Sequence, residues 1–234
     1  MAEQGEADVP ASRAARTRAA IIDAALRLFR ERGFDDTTMR AIAAEAGVSV
    51  GNAYYYFESK EHLIQGFYDR AYEEHLVAAR PVLDRQVELT ARMVGVIEAW
   101  IDVMDPYRPF AASFFKNAAD PTSPLSPFSP ESAPARDASI ALWREVAEGS
   151  EQKVPKYLRE ELPELLWLYF MGLVLFWVHD RADGAAATRL LARRTAPMVA
   201  RAIGLTRLPL LRAEIADLIG LVAEIKSLSA GNMA

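Results

Sequence analysis

Apolar residues return along this chain at intervals of three and four, and no stretch alternates with the period of two that a strand needs. The first stripe is Ile21, Ala25, Leu28 and Phe29, which predicts a helix over about 17–32, ended by Gly33 before Phe34 turns into a loop. The second stripe is Met39, Ile42, Ala43 and Ala46. Thr37 or Thr38 can cap it, because a hydroxyl accepts from backbone N–H groups that have no partner inside the helix. Gly47 follows directly, where a left-handed residue closes a helix at least steric cost. Val48 then fills the corner and Ser49 can cap a third, short helix on which Ala53 and Phe57, four apart, point inward. Gly51, Asn52 and Tyr55 face the other way, with Val50 and Tyr54 on one flank and Tyr56 on the other. Ser59 caps a longer helix, with Glu61 in its first turn and Leu63, Phe67 and Ala71 along its inner side to about residue 79. Pro81 should stop or sharply kink it.

Beyond that proline the pattern stays helical. Residues 83–104 read as one helix closed by Asp105 and Pro106, with a short apolar piece at 110–116. The run PTSPLSPFSPESAP, beginning at Pro121, sets five prolines among serines and predicts a surface loop that cannot be regular. Helix resumes over 135–150, with Ile140, Trp143, Val146 and Ala147 on one side. Pro155 and Pro163 precede the most apolar segment, LLWLYFMGLVLFWV at 165–178. Gly184 separates it from 188–203, where Pro197 should kink or interrupt the helix; Gly204 ends that element, and Pro209 opens a last amphipathic helix to about 227. A helix apolar nearly all round needs cover on every side, and a partner subunit is the simplest source of it. Gly172, set between bulky neighbours, would let two such helices approach closely.

Residues 37–60 thus form two short helices joined by a tight turn, the second with glycine, asparagine and tyrosines on its outer surface. That is a helix-turn-helix with the second element as recognition helix. A buried helical hairpin would account for Ile42, Ala43, Val48 and Phe57, but not for three adjacent tyrosines beside Gly51 and Asn52. The run GFDDTTMRAIAAEAGVSVGNAYYYFESKEHLI resembles the DNA-binding signature of the TetR (AcrR-type) family of transcriptional regulators, over residues 17–67.

The resemblance implies an all-α fold: an N-terminal three-helix helix-turn-helix DNA-binding domain and a C-terminal helical bundle for ligand binding and dimerisation. The chain divides accordingly into a disordered arm (1–15), the DNA-binding domain (16–63) and the effector-binding and dimerisation body (64–229). It also implies a homodimer whose recognition helices enter successive major grooves of a near-palindromic double-stranded DNA operator, about one helical turn apart. Carried over position by position, Thr38, Tyr56 and Lys60 would hold phosphates, while Arg40, Val50, Gly51, Asn52, Tyr54 and Tyr55 would face bases or their sugars. Many relatives place lysine or another polar group where this chain has Val50; valine can touch a thymine methyl but cannot donate to guanine. Subunit pairing would run through 165–180 and 188–203 as a four-helix bundle, with the part played by the helix after Pro209 left open. The resemblance further implies an effector pocket in the body, for which Trp100, Met104, Phe110, Phe114, Phe115, Trp143, Trp167, Tyr169, Phe170 and Leu173 are candidates; each is equally a candidate for plain core. Few charges are available to pair with a buried ion, so the effector would be small and apolar or aromatic, with Asn117, Tyr169 and His179 as polar handles.

Charge and composition sharpen this picture. The net charge of −5 looks wrong for a DNA-binding chain until it is localised. Arg13, Arg16, Arg18, Arg27, Arg30 and Arg32 face only Asp23 and Glu31, so the basic face lies beside the proposed reading element. The first three of these arginines are either an arm that reaches DNA or the solvated start of a helix. Zero cysteines exclude disulfides and thiolate metal sites and fit a reducing cytoplasm. The opening MAEQGEADVP is acidic and polar rather than a basic-then-apolar leader, and no apolar run reaches the length of a membrane span, so the expected location is cytoplasmic, with no membrane partner. Bundle metal sites place Glu three residues before His, but Ser59, Tyr72 and Phe176 stand there before His62, His75 and His179. No glycine-rich phosphate loop follows a strand. His179 beside Asp180 is the one tempting pair, and it reads more simply as a cation near a helix C-terminus. Neither an enzyme, a metal nor a cofactor is expected. The chain reads as a ligand-responsive transcriptional repressor; a helical small-molecule-binding enzyme and a ligand-independent DNA-binding regulator stay open as alternatives.

Overall fold

The computed structural model describes residues 12–108, 111, 115, 118–120, 122–207, 217 and 220, and these are helical with short connections. Helix α1 (Arg13–Arg32) starts four residues earlier than its apolar stripe implies, because Ser12 Oγ accepts from the Ala15 N–H at 3.1 Å. Arg13 and Arg16 therefore lie on its first turns. Helices α2 (Met39–Glu45) and α3 (Val50–Tyr56) are capped by Thr38, from the Ala41 N–H at 3.2 Å, and by Ser49, from the Asn52 N–H at 3.1 Å. Thr37 is not the cap; its hydroxyl donates to Gly33 O at 2.7 Å and closes the loop before α2. Gly47 turns the corner at φ 68°, the left-handed conformation its position called for.

Helix α4 (Lys60–Arg85) continues past Pro81, so the proline does not stop it. The proline removes the N–H that would serve Val77 O, but Val77 and Pro81 both lie on the solvent side, where water can replace the lost bond. The break falls instead at Gln86–Glu88, where Glu88 accepts from the Thr90 and Ala91 N–H groups at 3.0 and 2.7 Å and starts α5 (Leu89–Met104). Helices α4 and α5 cross closely at Gly95, where any Cβ would collide with Val82.

The same break holds an unexpected centre of order. Arg92 is 3% exposed, and its guanidinium donates to Leu83 O and Gln86 O (both 2.7 Å) at the end of α4. It also donates to Glu145 O (2.7 Å) and Val146 O (2.9 Å) at the end of α6 (Ala133–Glu148). One cation thus satisfies the carbonyl ends of two helices, where the dipole favours positive charge.

A short 3₁₀ turn, Asp105–Tyr107, follows α5. Over 122–132 the serine–proline run forms no helix or strand, as expected, but its turns repeat. Ser123, Ser126 and Ser129 each donate their N–H to the carbonyl three residues back, at 3.0 Å. Pro124, Pro127 and Pro130 fall just after each serine, at the positions whose N–H this pattern does not use. The run docks through Pro124 O, which accepts from Ser129 Oγ (2.9 Å), Ser132 Oγ (3.1 Å) and Gln65 Nε2 of α4 (3.4 Å).

The short α7 (Lys156–Arg159) leads to α8 (Leu162–His179) and α9 (Ala186–Leu205). Pro197 sits inside α9 without ending it. Helix α8 is longer than its apolar run suggested, and by length and composition alone it could cross a membrane. Its Leu166, Trp167, Phe170, Leu173 and Trp177 are buried against the body, chiefly α6, which makes it a core helix here. Arg189–Asp102 and Arg193–Glu98, each 2.5 Å, clamp α9 to α5, and the Tyr169 hydroxyl meets Thr195 Oγ1 at 2.7 Å between α8 and α9. The helix expected after Pro209 lies outside the described residues apart from Asp217 and Gly220.

Candidate nucleic-acid interface

Ala53 and Phe57 are buried on the inner side of α3, which packs chiefly on α2, while the Arg18 guanidinium of α1 lies over the Phe57 ring. With the inner face fixed this way, the outer face is forced outward: Val50 is 39% exposed, Tyr54 49% and Tyr55 82%, with Gly51 and Asn52 open beside them. A phenol of that size held in water gains nothing from burial within the subunit, so its apolar area is left for a partner. Tyr56 is half-buried, its ring edge-on to Tyr55 at 5.2 Å. Arg40 and Thr38 lie exposed on the α2 side; the Thr38 oxygen is taken as a cap acceptor, and its hydroxyl proton remains free to donate.

Lys60 is placed differently from the expectation of a free phosphate ligand. Its ammonium donates to Phe34 O at 2.6 Å and Asp35 O at 3.3 Å and stands 4.5 Å from the centre of the Phe34 ring. Two of its three protons brace the α1–α2 loop. Arginines of the N-terminal group are also engaged within the chain. Arg27 pairs with Glu45 (3.1 Å) and ties α1 to α2. Arg18 lies over Phe57 (5.1 Å) and near Asp69 (3.7 Å), while Arg30 lies over Tyr107 (5.9 Å). Arg70 reaches back from α4 to Asp23 at 2.6 Å. These contacts tie α1 to α2 and α4, and sequence reasoning missed them: the carboxylate partners of Arg27 and Arg70 lie 18 and 47 positions away, with no shared period.

In the body, the effector candidates divide. Phe110, Phe114 and Asn117 lie outside the described residues. Trp100 meets Phe170 at 5.2 Å and Trp177 at 4.9 Å, Trp143 meets Phe170 at 5.5 Å, and His75 stacks on Phe170 at 6.5 Å. Met104 and Leu173 are buried nearby in the same continuous core. Trp167 is covered at its edge by Phe128, 5.7 Å away, from the serine–proline run. Tyr169 is directed to α9 rather than into this cluster, and His179 is exposed, its Nδ1 on Leu175 O at 2.9 Å and its ring edge-on to Phe115 at 6.3 Å. His75 and Trp177 were missed as members; Trp177 follows Phe170 by seven residues on α8, a spacing that returns to the same helix face. The indole N–H groups of Trp143 and Trp177 are buried without an acceptor among the described residues. His75 Nε2 makes a 2.9 Å bond to Val96 O, and burial, only partly offset by that bond, lowers its pKa below 6.5, so the ring is neutral at pH 7.

An exposed, aromatic recognition helix on a helix-turn-helix, carried by an all-helical body, defines a DNA-binding protein of the regulator class. The model of the bacterial regulatory proteins of the tetR family matches residues 21–66, and that of the tetracyclin repressor-like C-terminal domain matches residues 92–218. The second match alone spans more than half of the chain, which therefore belongs to the TetR family of DNA-binding transcriptional regulators, a family that is not one of enzymes. Each of the curated relatives matches only part of the chain. The HTH-type transcriptional regulator TtgR of Pseudomonas putida is 45% identical over 64 residues, 27% of this chain and 30% of that protein. The HTH-type transcriptional repressor KstR2 of Rhodococcus jostii (strain RHA1) is 35% identical over 86 residues, 35% of this chain and 42% of that protein. The chain thus spans less than half the length of these relatives. The fold is shared with a TetR transcriptional regulator from Nitrosomonas europaea ATCC 19718, at a TM-score of 0.62 and 22% identity, over 78% of this chain and 97% of that one.

Proposed function

We propose that this chain is a homodimeric transcriptional repressor, cytoplasmic, that binds a near-palindromic operator and is released by a small, uncharged, apolar or aromatic effector. The observation that carries DNA reading is the outward row of α3, Val50, Gly51, Asn52, Tyr54 and Tyr55, over a fully buried Ala53. Arg40 flanks it from α2, and Thr38, Tyr56 and the remaining Lys60 proton face the phosphates. The dimer reading rests on a second row. Leu165, Leu168, Leu175 and Phe176 on α8 and Leu190, Met198 and Leu205 on α9 are exposed, and a Cβ at Gly172 would meet open space. An apolar face of that extent is at rest only against another protein surface.

The effector reading rests on the aromatic cluster around Phe170. Its two indole N–H groups without an acceptor among the described residues would gain a bond from an acceptor oxygen, while Arg92 commits four of its five N–H groups to helix-end carbonyls. The favoured effector therefore carries a carbonyl or hydroxyl rather than a charge. The close ring contacts in the same cluster favour a second reading, regulation without a ligand, which predicts no response to any small molecule. The test is a duplex-binding titration with DNA flanking the protein's own gene, run over a salt series. Affinity that falls linearly with log salt and exceeds that for random duplex supports the repressor reading; equal affinity for both duplexes refutes it. A ligand that changes tryptophan fluorescence but leaves operator affinity unchanged refutes release by effector.

A further inference from the structure

Among the described residues, the DNA-reading half is held to the body not only through α4 but also at the corner after α5. The Tyr107 ring packs edge-on against Phe67 of α4 at 4.8 Å and lies under the Arg30 guanidinium of α1 at 5.9 Å. The next residue faces the opposite half of the molecule. Arg108 donates to Asp180 O and Ala182 O, both 2.9 Å, in the connection between α8 and α9, and pairs with Asp105 at 3.2 Å. Asp180 in turn fixes the start of α9, accepting from the Ala182 N–H (2.9 Å), the Thr188 N–H (2.8 Å) and the Thr188 hydroxyl (2.8 Å). Two adjacent residues therefore join α1 and α4 to the two helices that carry the exposed pairing face. We propose that Tyr107 and Arg108 are the positioning residues that set which half-site spacing the dimer reads.

The argument is geometric and rests on the dimeric DNA-binding reading above. In a two-fold dimer, the separation of the recognition helices is fixed by how each DNA-reading half sits on its own pairing helices. Helix α4 alone is a lever about 39 Å long at 1.5 Å per residue, and a small rotation at its body end moves α3 by a base-pair step or more. The Tyr107 ring opposes that rotation by engaging α1 as well as α4, whereas the Gln65–Pro124 and Tyr72–Ala138 contacts engage α4 alone. Neither residue touches α3, so the local chemistry of a single half-site does not pass through them.

The experiment uses the full chain and duplexes selected from a random pool with the wild-type protein. One series carries two half-sites with the spacer altered by up to two base pairs; another duplex carries one half-site. Wild type is expected to prefer one spacing by at least tenfold. Tyr107→Ala and Arg108→Gln are each expected to reduce that preference below threefold, with single-half-site affinity within twofold of wild type. Tyr107→Phe keeps the ring and is expected to keep the preference. An unchanged spacing preference in both Tyr107→Ala and Arg108→Gln overturns the proposal while leaving the dimeric reading intact. So does an equal loss on single and paired half-sites, which marks a merely structural role. A wild type that shows no spacing preference overturns the proposal together with the dimeric reading.

Discussion

Replacing Arg92 by methionine keeps an unbranched side chain of similar reach and removes every hydrogen-bond donor. Four carbonyls lose their partner, those of Leu83, Gln86, Glu145 and Val146; Glu145 O keeps the Gly149 N–H at 3.0 Å, which leaves three served by no other described donor. An orphaned buried acceptor costs about 1–3 kcal/mol, so the gross loss is roughly 3–9 kcal/mol. Against this, methionine relieves the desolvation of a buried cation, which here lowers the guanidinium pKa, and the helix-end carbonyls of α4 can recruit water once the side chain is shortened. The balance is a destabilisation of about 3 kcal/mol, at the low end of the gross range. That corresponds to a fall in Tm of about 6–12 °C for a chain of this size. Arg92→Lys should recover little, since an ammonium cannot reach four diverging acceptors. Gly149→Ala should act in the same direction, because its Cβ would collide with the Arg92 guanidinium. Thermal unfolding followed by far-UV circular dichroism at fixed protomer concentration measures all three. Unfolding of Arg92→Met within about 0.5 kcal/mol of wild type would refute the reasoning, for then water serves those carbonyls as well as the guanidinium does.

Two further perturbations test other parts of the account. Gly172→Arg places a charge on an open face of the single subunit, so each subunit should stay folded while the dimer dissociation constant rises at least tenfold; sedimentation equilibrium reads this, and an unchanged constant removes α8 from the interface. His75 is held neutral by burial, with its pKa below 6.5, so its contribution to stability is fully present above pH 6.5 and is lost as pH falls through 6.5 towards the folded-state value. Over that window wild type should lose up to about 1.4 kcal/mol per pH unit through this one group. His75→Gln should flatten the urea midpoint between pH 7.5 and 5.5, and an unaltered slope would mean His75 does not titrate on unfolding.

The helix-turn-helix was legible because its determinants are local. Thr38 and Ser49 lie three residues before the N–H groups they cap, Gly47 needs only its own φ, and the split between Ala53 and Tyr55 follows from helix periodicity. Pro81 and Pro197 do not interrupt their helices, for an equally physical reason. Both look like breaks in one dimension, but whether a lost N–H matters depends on the helix face on which the freed carbonyl falls. The serine–proline run is the loop its prolines announced; what the sequence did not announce is that its turns repeat every three residues. Arg92 was illegible altogether: an arginine in an apolar helix gives no sign that carbonyls 53 and 54 residues away will converge on it. Lys60 shows the same limit at the DNA-reading end, where the motif position is kept while the ammonium turns to the α1–α2 loop. In the body, aromatic composition pointed to the region of Trp100, Trp143 and Phe170, but only packing placed His75 and Trp177 among them.

The central claim, that the exposed tyrosine face of α3 lies in duplex DNA, is tested most directly by the affinity of Tyr55→Ala for the duplex flanking the protein's own gene, measured beside wild type at one fixed salt concentration. A base-edge contact is worth about 1–3 kcal/mol, so the variant should bind that duplex roughly 5- to 150-fold more weakly, with random-sequence duplex bound as before. Wild-type affinity retained by Tyr55→Ala on the flanking duplex would contradict the account.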